Sequence, residues 1–265
     1  MKNIKRLRDS SKYRSAKLIS LFGLFSKRER DVRLLQVSQF KEMSLDRVEG
    51  LQKLNKILST EFDREYSEDR GMWSEHLVLF ASISISKIKI RNILEIGTHK
   101  GETTRILHQL FPAAKITTID LPNRIAKESH IYTYSDSDQI MVERKANIGS
   151  IDRVNQLQMN SCGLVFHEQK YDLIWLDGAH GYPICAIDVT NAVRMVSVEG
   201  FIVCDDVYTR LKHSDEMYDS TATHQVLEAF RKSEILNYKL LHKRLSIQFN
   251  FWKSQTKYLA VAKLT

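Results

Sequence analysis

The stretch that decides the fold runs from Arg91 to Phe111 and reads RNILEIGTHKGETTRILHQLF. Residues 91–97 are a short apolar run that ends in glycine, which predicts a β-strand. Residues 101–111 carry apolar side chains at helical spacing and stop before Pro112, which predicts a helix. A strand that turns through glycines into a helix is typical of the first crossover of a doubly wound α/β sheet.

The same alternation continues along the chain. We predict further strands at 114–120, 140–149, 171–177 and 200–207, and helices at 150–159, 182–196 and near 223–233. Strands separated by helices favour a parallel sheet with right-handed crossovers. The last strand-like runs, at 237–244, 245–252 and 257–264, have no helix between them. We therefore expect the parallel sheet to end in an antiparallel pair.

The net charge of +8 belongs to one end of the chain. Residues 1–33 hold eleven Lys and Arg against three acids, and the remainder holds 29 basic and 29 acidic residues. The charge thus does not indicate a nucleic-acid ligand for the main body. Within this arm, residues 16–27 place apolar side chains along one side of a helix. Such a helix either lies peripherally on an anionic membrane or packs on its own domain or a second subunit of a homo-oligomer.

Composition and pattern divide the chain into three predicted parts. These are a basic amphipathic arm at 1–33, a helical extension or lid at 34–85, and the main domain at 86–265. No apolar run is long enough to cross a bilayer, and no signal-peptide pattern begins the chain. We therefore expect a cytoplasmic protein, with peripheral membrane contact if the arm lies on a membrane.

Two acids are placed as in a cofactor site at the carboxyl edge of the predicted sheet. Glu95 precedes the turn that contains Gly97 and Gly101, and Asp120 ends the second strand. In a doubly wound sheet the ligand binds at this edge, where a glycine turn lets backbone N–H groups come close. The turn lacks the third glycine of a pyrophosphate site, and Glu95 would repel a pyrophosphate. A cationic or hydroxyl-rich ligand is favoured instead, with Asp120 accepting from a ribose diol.

Three further acids and a histidine end the next two predicted strands. Asp177 and His180 lie in WLDGAHGY, and Asp205 and Asp206 lie in VCDDV. Three neighbouring carboxylates require raised pKa values or a cation, and hard oxygen ligands suit Mg²⁺. A bound ion would lower the pKa of an acceptor hydroxyl, and His180 can accept its proton. Singly, each residue is also typical of a turn, a helix cap or a solvated histidine.

Over roughly residues 75–265, the chain resembles the class I S-adenosylmethionine-dependent methyltransferases. LEIGTHKG resembles their first motif, TTID the end of their second strand, and NIGSID the segment that meets the adenine. The resemblance implies a seven-stranded, mostly parallel, doubly wound Rossmann-like sheet with the last pair reversed. It also implies that the loop at 97–101 lies under the amino acid part of the cofactor and that Ser150 lies near the adenine. The cofactor-binding residues predicted on this basis are Glu95, Gly97, Thr98, Gly101, Thr103, Asp120, Ser150 and Asp177.

YDLIWLDGAHGY with GFIVCDDV resembles the metal-dependent O-methyltransferases of the catechol type and, more closely, those that methylate sugar hydroxyls of macrolides. The resemblance implies that Asp177, Asp205 and Asp206 bind a divalent cation, Mg²⁺, and that His180 is the catalytic base. The expected reaction moves a methyl group from S-adenosylmethionine to a hydroxyl of a small molecule or a sugar or glycan.

Two other functions agree with the same residues. One is a metal-independent methyltransferase that acts on nitrogen or on a protein. The other is a catalytically silent S-adenosylmethionine-binding module that acts through its basic arm.

Overall fold

The computed structural model describes residues 26–68, 73–122, 125, 134–211, 215–216, 219–244 and 256–265. The predicted arm helix at 16–27 lies almost wholly outside these residues, and the candidate strand at 245–252 lies outside them entirely. No helix among the described residues is both long and apolar enough to cross a membrane.

The described strands form one seven-stranded sheet. They are β1 (Asn92–Ile96), β2 (Lys115–Asp120), β3 (Val154–Gln158), β4 (Tyr171–Leu176), β5 (Val196–Val207), β6 (Leu236–His242) and β7 (Tyr258–Leu264). Their order across the sheet is β3-β2-β1-β4-β5-β7-β6. β7 is antiparallel to both β5 and β6, whereas the pairs from β3 to β5 are parallel. The predicted doubly wound sheet with an antiparallel end is confirmed.

Helices cover both faces of the sheet. They are α1 (Ser26–Glu42), α2 (Arg47–Phe62), α3 (Glu75–Ser84), α4 (Glu102–Leu110), α5 (Tyr134–Ile148), α6 (Ile184–Met195) and α7 (Ala222–Lys232), with a 3-10 helix at Ser161–Phe166. On one face, α2 and α3 bury Leu54 and Phe80 against Trp175 and Phe201 of the sheet. On the other face, α6 and α7 pack against side chains that include Ile202.

The first helices are part of the domain core. Arg47 in α2 and Glu75 in α3 form a buried ion pair, with Arg47 Nε 2.5 Å and Nη2 2.9 Å from the two carboxylate oxygens. Gln36 in α1 donates to the backbone of His242 in β6 at 2.8 Å. Within 34–85, where the sequence predicts a helical extension, the structure describes the last part of α1 and the whole of α2 and α3. The lid role of this segment stays a prediction.

Two predictions between β2 and β4 were wrong. The predicted strand at 140–149 belongs to α5, and the predicted helix at 150–159 contains β3. Ile140, Arg144 and Ile148 are buried, a spacing of four residues that is helical, whereas the run Ile-Met-Val at 140–142 favoured a strand locally. β3 is an edge strand with a half-buried, polar sequence, so it lacks the apolar content that marks an inner strand.

Candidate functional site

The predicted site residues gather at the carboxyl edge of the four adjacent strands β2, β1, β4 and β5. Parallel pairing aligns these strands, so that Glu95 in β1 faces Thr118 in β2 and Trp175 in β4. The turn after β1, the end of β2, the turn after β4 and the end of β5 therefore meet at one edge.

The turn after β1 requires glycine at both of its ends. Gly97 has φ 108°, and a Cβ at this position would lie 2.2 Å from the carbonyl oxygen of Asp177. Gly101 has φ 72° and is the N-cap of α4. Both conformations are rare for residues with a side chain. The absence of a side chain at Gly97 thus allows the β1 turn to lie directly against the β4 turn.

Glu95 is a buried acceptor beneath this turn. Its Oε2 accepts from the hydroxyls of Thr104 and of Thr118, the latter at 2.5 Å, whereas Oε1 is buried with no hydrogen-bond partner among the described residues. Burial raises the pKa of Glu95 to about 7, against the lowering effect of the two threonines. An acceptor atom left without a donor fits the amino group of a bound ligand.

The remaining predicted cofactor residues differ in their surroundings. Thr98 is buried, and its Oγ1 lies 2.6 Å from Oγ1 of Thr118. Thr103 is half-buried in the first turn of α4. Ser150 is exposed in the turn between α5 and β3. Its place near an adenine stays a prediction.

Asp120, at the end of β2, is paired with an arginine. Arg144 Nη2 lies 2.5 Å from Asp120 Oδ2, and the backbone N–H groups of His99 and Leu121 donate to the carboxylate at 2.9 Å. Burial raises the pKa of Asp120, while Arg144 acts in the opposite direction. Arg144 Nε also donates to the carbonyl oxygen of His99 at 2.5 Å. The arginine therefore joins the Asp120 carboxylate to the β1 turn.

Asp177 and His180 lie together in the turn after β4. His180 Nε2 is 3.9 Å from Asp177 Oδ1. His180 is buried, and this burial lowers its pKa, so the imidazole is neutral at pH 7 and can accept a proton. Burial, followed by the nearby charge of Asp205, raises the pKa of Asp177. A neutral histidine beside a carboxyl group is an arrangement suited to a general base.

Asp205 and Asp206, at the end of β5, bind lysines. Lys243 Nζ lies 2.5 Å from Asp205 Oδ2 and 2.5 Å from Asp206 Oδ1, and Lys257 Nζ lies 2.7 Å from Asp206 Oδ2. Burial opposes the charge of Lys243, but Asp205 and Asp206 outweigh it and raise the pKa of the ammonium. Burial likewise acts against the charge of Asp205, but Lys243 outweighs it and holds the pKa of this carboxyl below its ordinary value. The charge of Lys243 thus favours the ionised form of Asp205.

The three predicted metal ligands do not fit a divalent cation in this arrangement. Asp205 and Asp206 already bind the ammonium groups of Lys243 and Lys257. Across the described part of the chain, no group of three or more His, Cys, Asp or Glu side chains is placed to hold a metal ion. Carboxylates bind Mg²⁺ in their ionised form and from several directions at once.

Sequence reasoning missed the cations of this site, which are Arg144, Lys243 and Lys257. Arg144 could have been found from its helical spacing with Ile140 and Ile148. The residues around the two lysines do not indicate their role. Lys243 directly follows β6 and Lys257 directly precedes β7, and these strands come close to the β5 aspartates only when the sheet forms.

The comparisons with known proteins agree with this fold. Residues 94–207 match a family model described as a methyltransferase domain. A provisionally assigned O-methyltransferase from Klebsiella pneumoniae has a TM-score of 0.53 at 16% identity, over 83% of this chain and 89% of that one. The O-methyltransferase TomG from Streptomyces achromogenes, solved in complex with S-adenosylmethionine, has a TM-score of 0.51 at 18% identity, over 82% and 90%. No curated protein matches the sequence.

The family match covers the segment that runs from β1 to the end of β5, and therefore includes the β1 turn, Asp120, Asp177, His180 and both β5 aspartates. The two solved structures support the fold over 83% and 82% of this chain. The chain thus has a Rossmann-like fold, and its residues 94–207 match a methyltransferase domain.

Proposed function

We propose that the protein binds S-adenosylmethionine at the carboxyl edge of its sheet and transfers the methyl group to a hydroxyl oxygen of a small molecule, a sugar or a glycan. The observation that carries the proposal is the meeting of the β1 turn, Asp120 and the Asp177–His180 pair at one edge. The likeness to TomG, an O-methyltransferase, supports the choice of oxygen.

The cofactor half of the proposal rests on the groups around the β1 turn. Glu95 Oε1 is a buried acceptor with no protein partner among the described residues, and it suits the amino group of the cofactor. Asp120 is held by Arg144 and by two backbone N–H groups, so its carboxylate is oriented for a ribose diol. When bound, S-adenosylmethionine supplies a methyl group on a positively charged sulfur.

The acceptor half rests on His180. A neutral imidazole takes up the proton that a hydroxyl must lose when its oxygen forms a bond to carbon. Asp177 Oδ1 lies 3.9 Å from His180 Nε2, close enough to orient the imidazole toward the acceptor. In this step the proton moves directly from the acceptor hydroxyl to the imidazole of His180.

The experiment has two stages. Isothermal titration measures S-adenosylmethionine binding to the full chain, and Asp120→Ala is the variant expected to weaken it. A panel of sugars and catechols is then incubated with labelled cofactor, and the position of the label in the product identifies the methylated atom. Failure to bind the cofactor would contradict the proposal.

The same panel separates the other two functions. Transfer only to nitrogen or to a protein would support the alternative methyltransferase, and cofactor binding with no transfer would support the silent module. We also propose that the arm contacts an anionic membrane or a second subunit. A variant that lacks residues 1–25 tests this part separately, because it leaves every described site residue in place.

A further inference from the structure

We infer that the ammonium group of Lys243 takes the place of a metal ion in the acidic centre formed by Asp205 and Asp206. The sequence pattern predicts a divalent cation at this position. The role of this centre in methyl transfer rests on the proposed function, but the identity of its cation does not.

The position of the ammonium carries the inference. Lys243 Nζ bridges two consecutive aspartates, at 2.5 Å from an oxygen of each. Lys243 is 4% exposed and Asp205 is 3% exposed, so their charges are withdrawn from water and depend on each other. Asp206 completes the set through its second oxygen, 2.7 Å from Lys257. Lys257 Nζ also lies 3.5 Å from Asp219 Oδ1, so two ammonium groups are shared among three carboxylates.

The backbone on both sides of Lys243 is held in place. Its N–H donates to the carbonyl oxygen of Lys257 at 3.1 Å, and its own carbonyl accepts from the N–H of Glu75 at 3.0 Å. Glu75 is itself fixed by the buried ion pair with Arg47. Lys243 is therefore anchored between the first turn of α3 and the start of β7, unlike a lysine on a mobile surface chain.

An ammonium group and a divalent cation exclude each other at this position. Mg²⁺ binds carboxylate oxygens at about 2.0–2.1 Å and requires about six oxygen ligands. The space between Asp205 and Asp206 is filled by Lys243 Nζ, which also repels a second cation. A divalent ion would have to displace Lys243, leaving a buried ammonium without its partners, at a cost of several kcal/mol.

The first test measures Mn²⁺ binding by electron paramagnetic resonance, a readout that needs no methyl acceptor. The full-length wild type should bind no Mn²⁺ at this centre. Lys243→Ala should bind Mn²⁺ more than about tenfold more tightly than the wild type does, because it removes a positive charge and opens the space between the aspartates. Asp205→Asn introduced into Lys243→Ala should abolish that binding.

Lys239→Ala is the matched control. Lys239 lies on β6 and pairs with the exposed Glu42, so its loss should leave Mn²⁺ binding as in the wild type. Stoichiometric Mn²⁺ binding to the wild type that is lost in Asp205→Asn would overturn the inference. A folded Lys243→Ala variant with no gain of Mn²⁺ binding would also overturn it.

If Lys243→Ala does not fold, two other measurements test the inference. Mn²⁺ binding to the wild type needs no variant, and Lys243→Met keeps the volume of the side chain while removing its charge. Its melting temperature should fall clearly below that of Lys239→Met; equal melting temperatures would contradict a buried charge-balancing role. Methyl transfer that persists in EDTA is the expected result once an acceptor is known. Absence of cofactor binding would instead contradict the proposed function.

Discussion

Arg144 Nη2 lies 2.5 Å from Asp120 Oδ2, and the two side chains are 5% and 10% exposed. The pair joins α5 to the end of β2. Arg144→Met should lower the free energy of unfolding by about 3 kcal/mol, because Asp120 would keep a buried charge without its partner. It should also weaken S-adenosylmethionine binding, since Arg144 helps to orient both Asp120 and the β1 turn. Urea unfolding and titration calorimetry measure the two effects.

The control for this pair is Lys100→Met. Lys100 pairs with Glu143 at 2.8 Å, but the two side chains are 39% and 33% exposed, so the loss should stay below about 1 kcal/mol. If the two variants lose equal free energy of unfolding, the buried pair of Arg144 and Asp120 stabilises the protein no more than an exposed pair does.

Glu95 should make the stability of the protein depend on pH. Its folded pKa of about 7 lies above the ordinary value, so the folded state keeps the proton to higher pH than the unfolded chain does. Glu95 therefore contributes fully to the free energy of unfolding below about pH 4. This contribution is lost as the pH rises to 7, and the loss is at most about 3 kcal/mol. Glu95→Gln should lack this loss.

Unfolding by urea at several pH values, in the absence of cofactor, measures the difference between wild type and Glu95→Gln. Taking the difference removes the contributions of the other titrating groups. A difference that stays constant between pH 4 and pH 7 would rule out the raised pKa of Glu95.

His180→Ala should lose methyl transfer while keeping cofactor binding. A general base contributes about 10²–10⁴ in rate, and S-adenosylmethionine is proposed to contact other residues. Labelled-cofactor assays give the rate with an identified acceptor, and calorimetry gives the affinity. His167→Ala serves as the control, because His167 follows the 3-10 helix on the amino side of β4. An unchanged rate in His180→Ala would remove His180 from the mechanism.

Gly97→Ala should destabilise the protein by a few kcal/mol and abolish cofactor binding. The added Cβ would lie 2.2 Å from the carbonyl oxygen of Asp177, and φ 108° is unfavourable for alanine. Gly178→Ala is a close control, since the nearest atom to its added Cβ lies at 3.4 Å. Thermal unfolding compares them, and similar melting temperatures would contradict the tight contact between the two turns.

The sequence alone determined the architecture and the edge at which the site lies. The strand, glycine turn and helix at 91–111 are local features, and each depends on residues close together in the chain. Acids after successive strands could be assigned to one edge because parallel strands bring their carboxyl ends together. For this reason Glu95, Asp120, Asp177 and the β5 aspartates were predicted at one edge without knowledge of the packing.

The segment between β2 and β4 shows where local pattern was insufficient. Ile140 begins a run that favours a strand, but burial of Arg144 and Ile148 against the β1 turn stabilises a helix. The polar edge strand β3 gains its structure from pairing with β2, and its own sequence resembles an exposed helix. Tertiary contacts decided both.

Only the tertiary structure decided what neutralises the acids. Sequence pattern predicts that Asp177, Asp205 and Asp206 are close and that close carboxylates need a cation or a proton. It does not predict which cation, because Lys243 reaches Asp205 only when β6 and β7 pair beyond β5 and the start of α3 fixes the lysine backbone. Because Lys243 is brought to Asp205 by the pairing of distant strands, the spacing of residues along the chain does not indicate this contact.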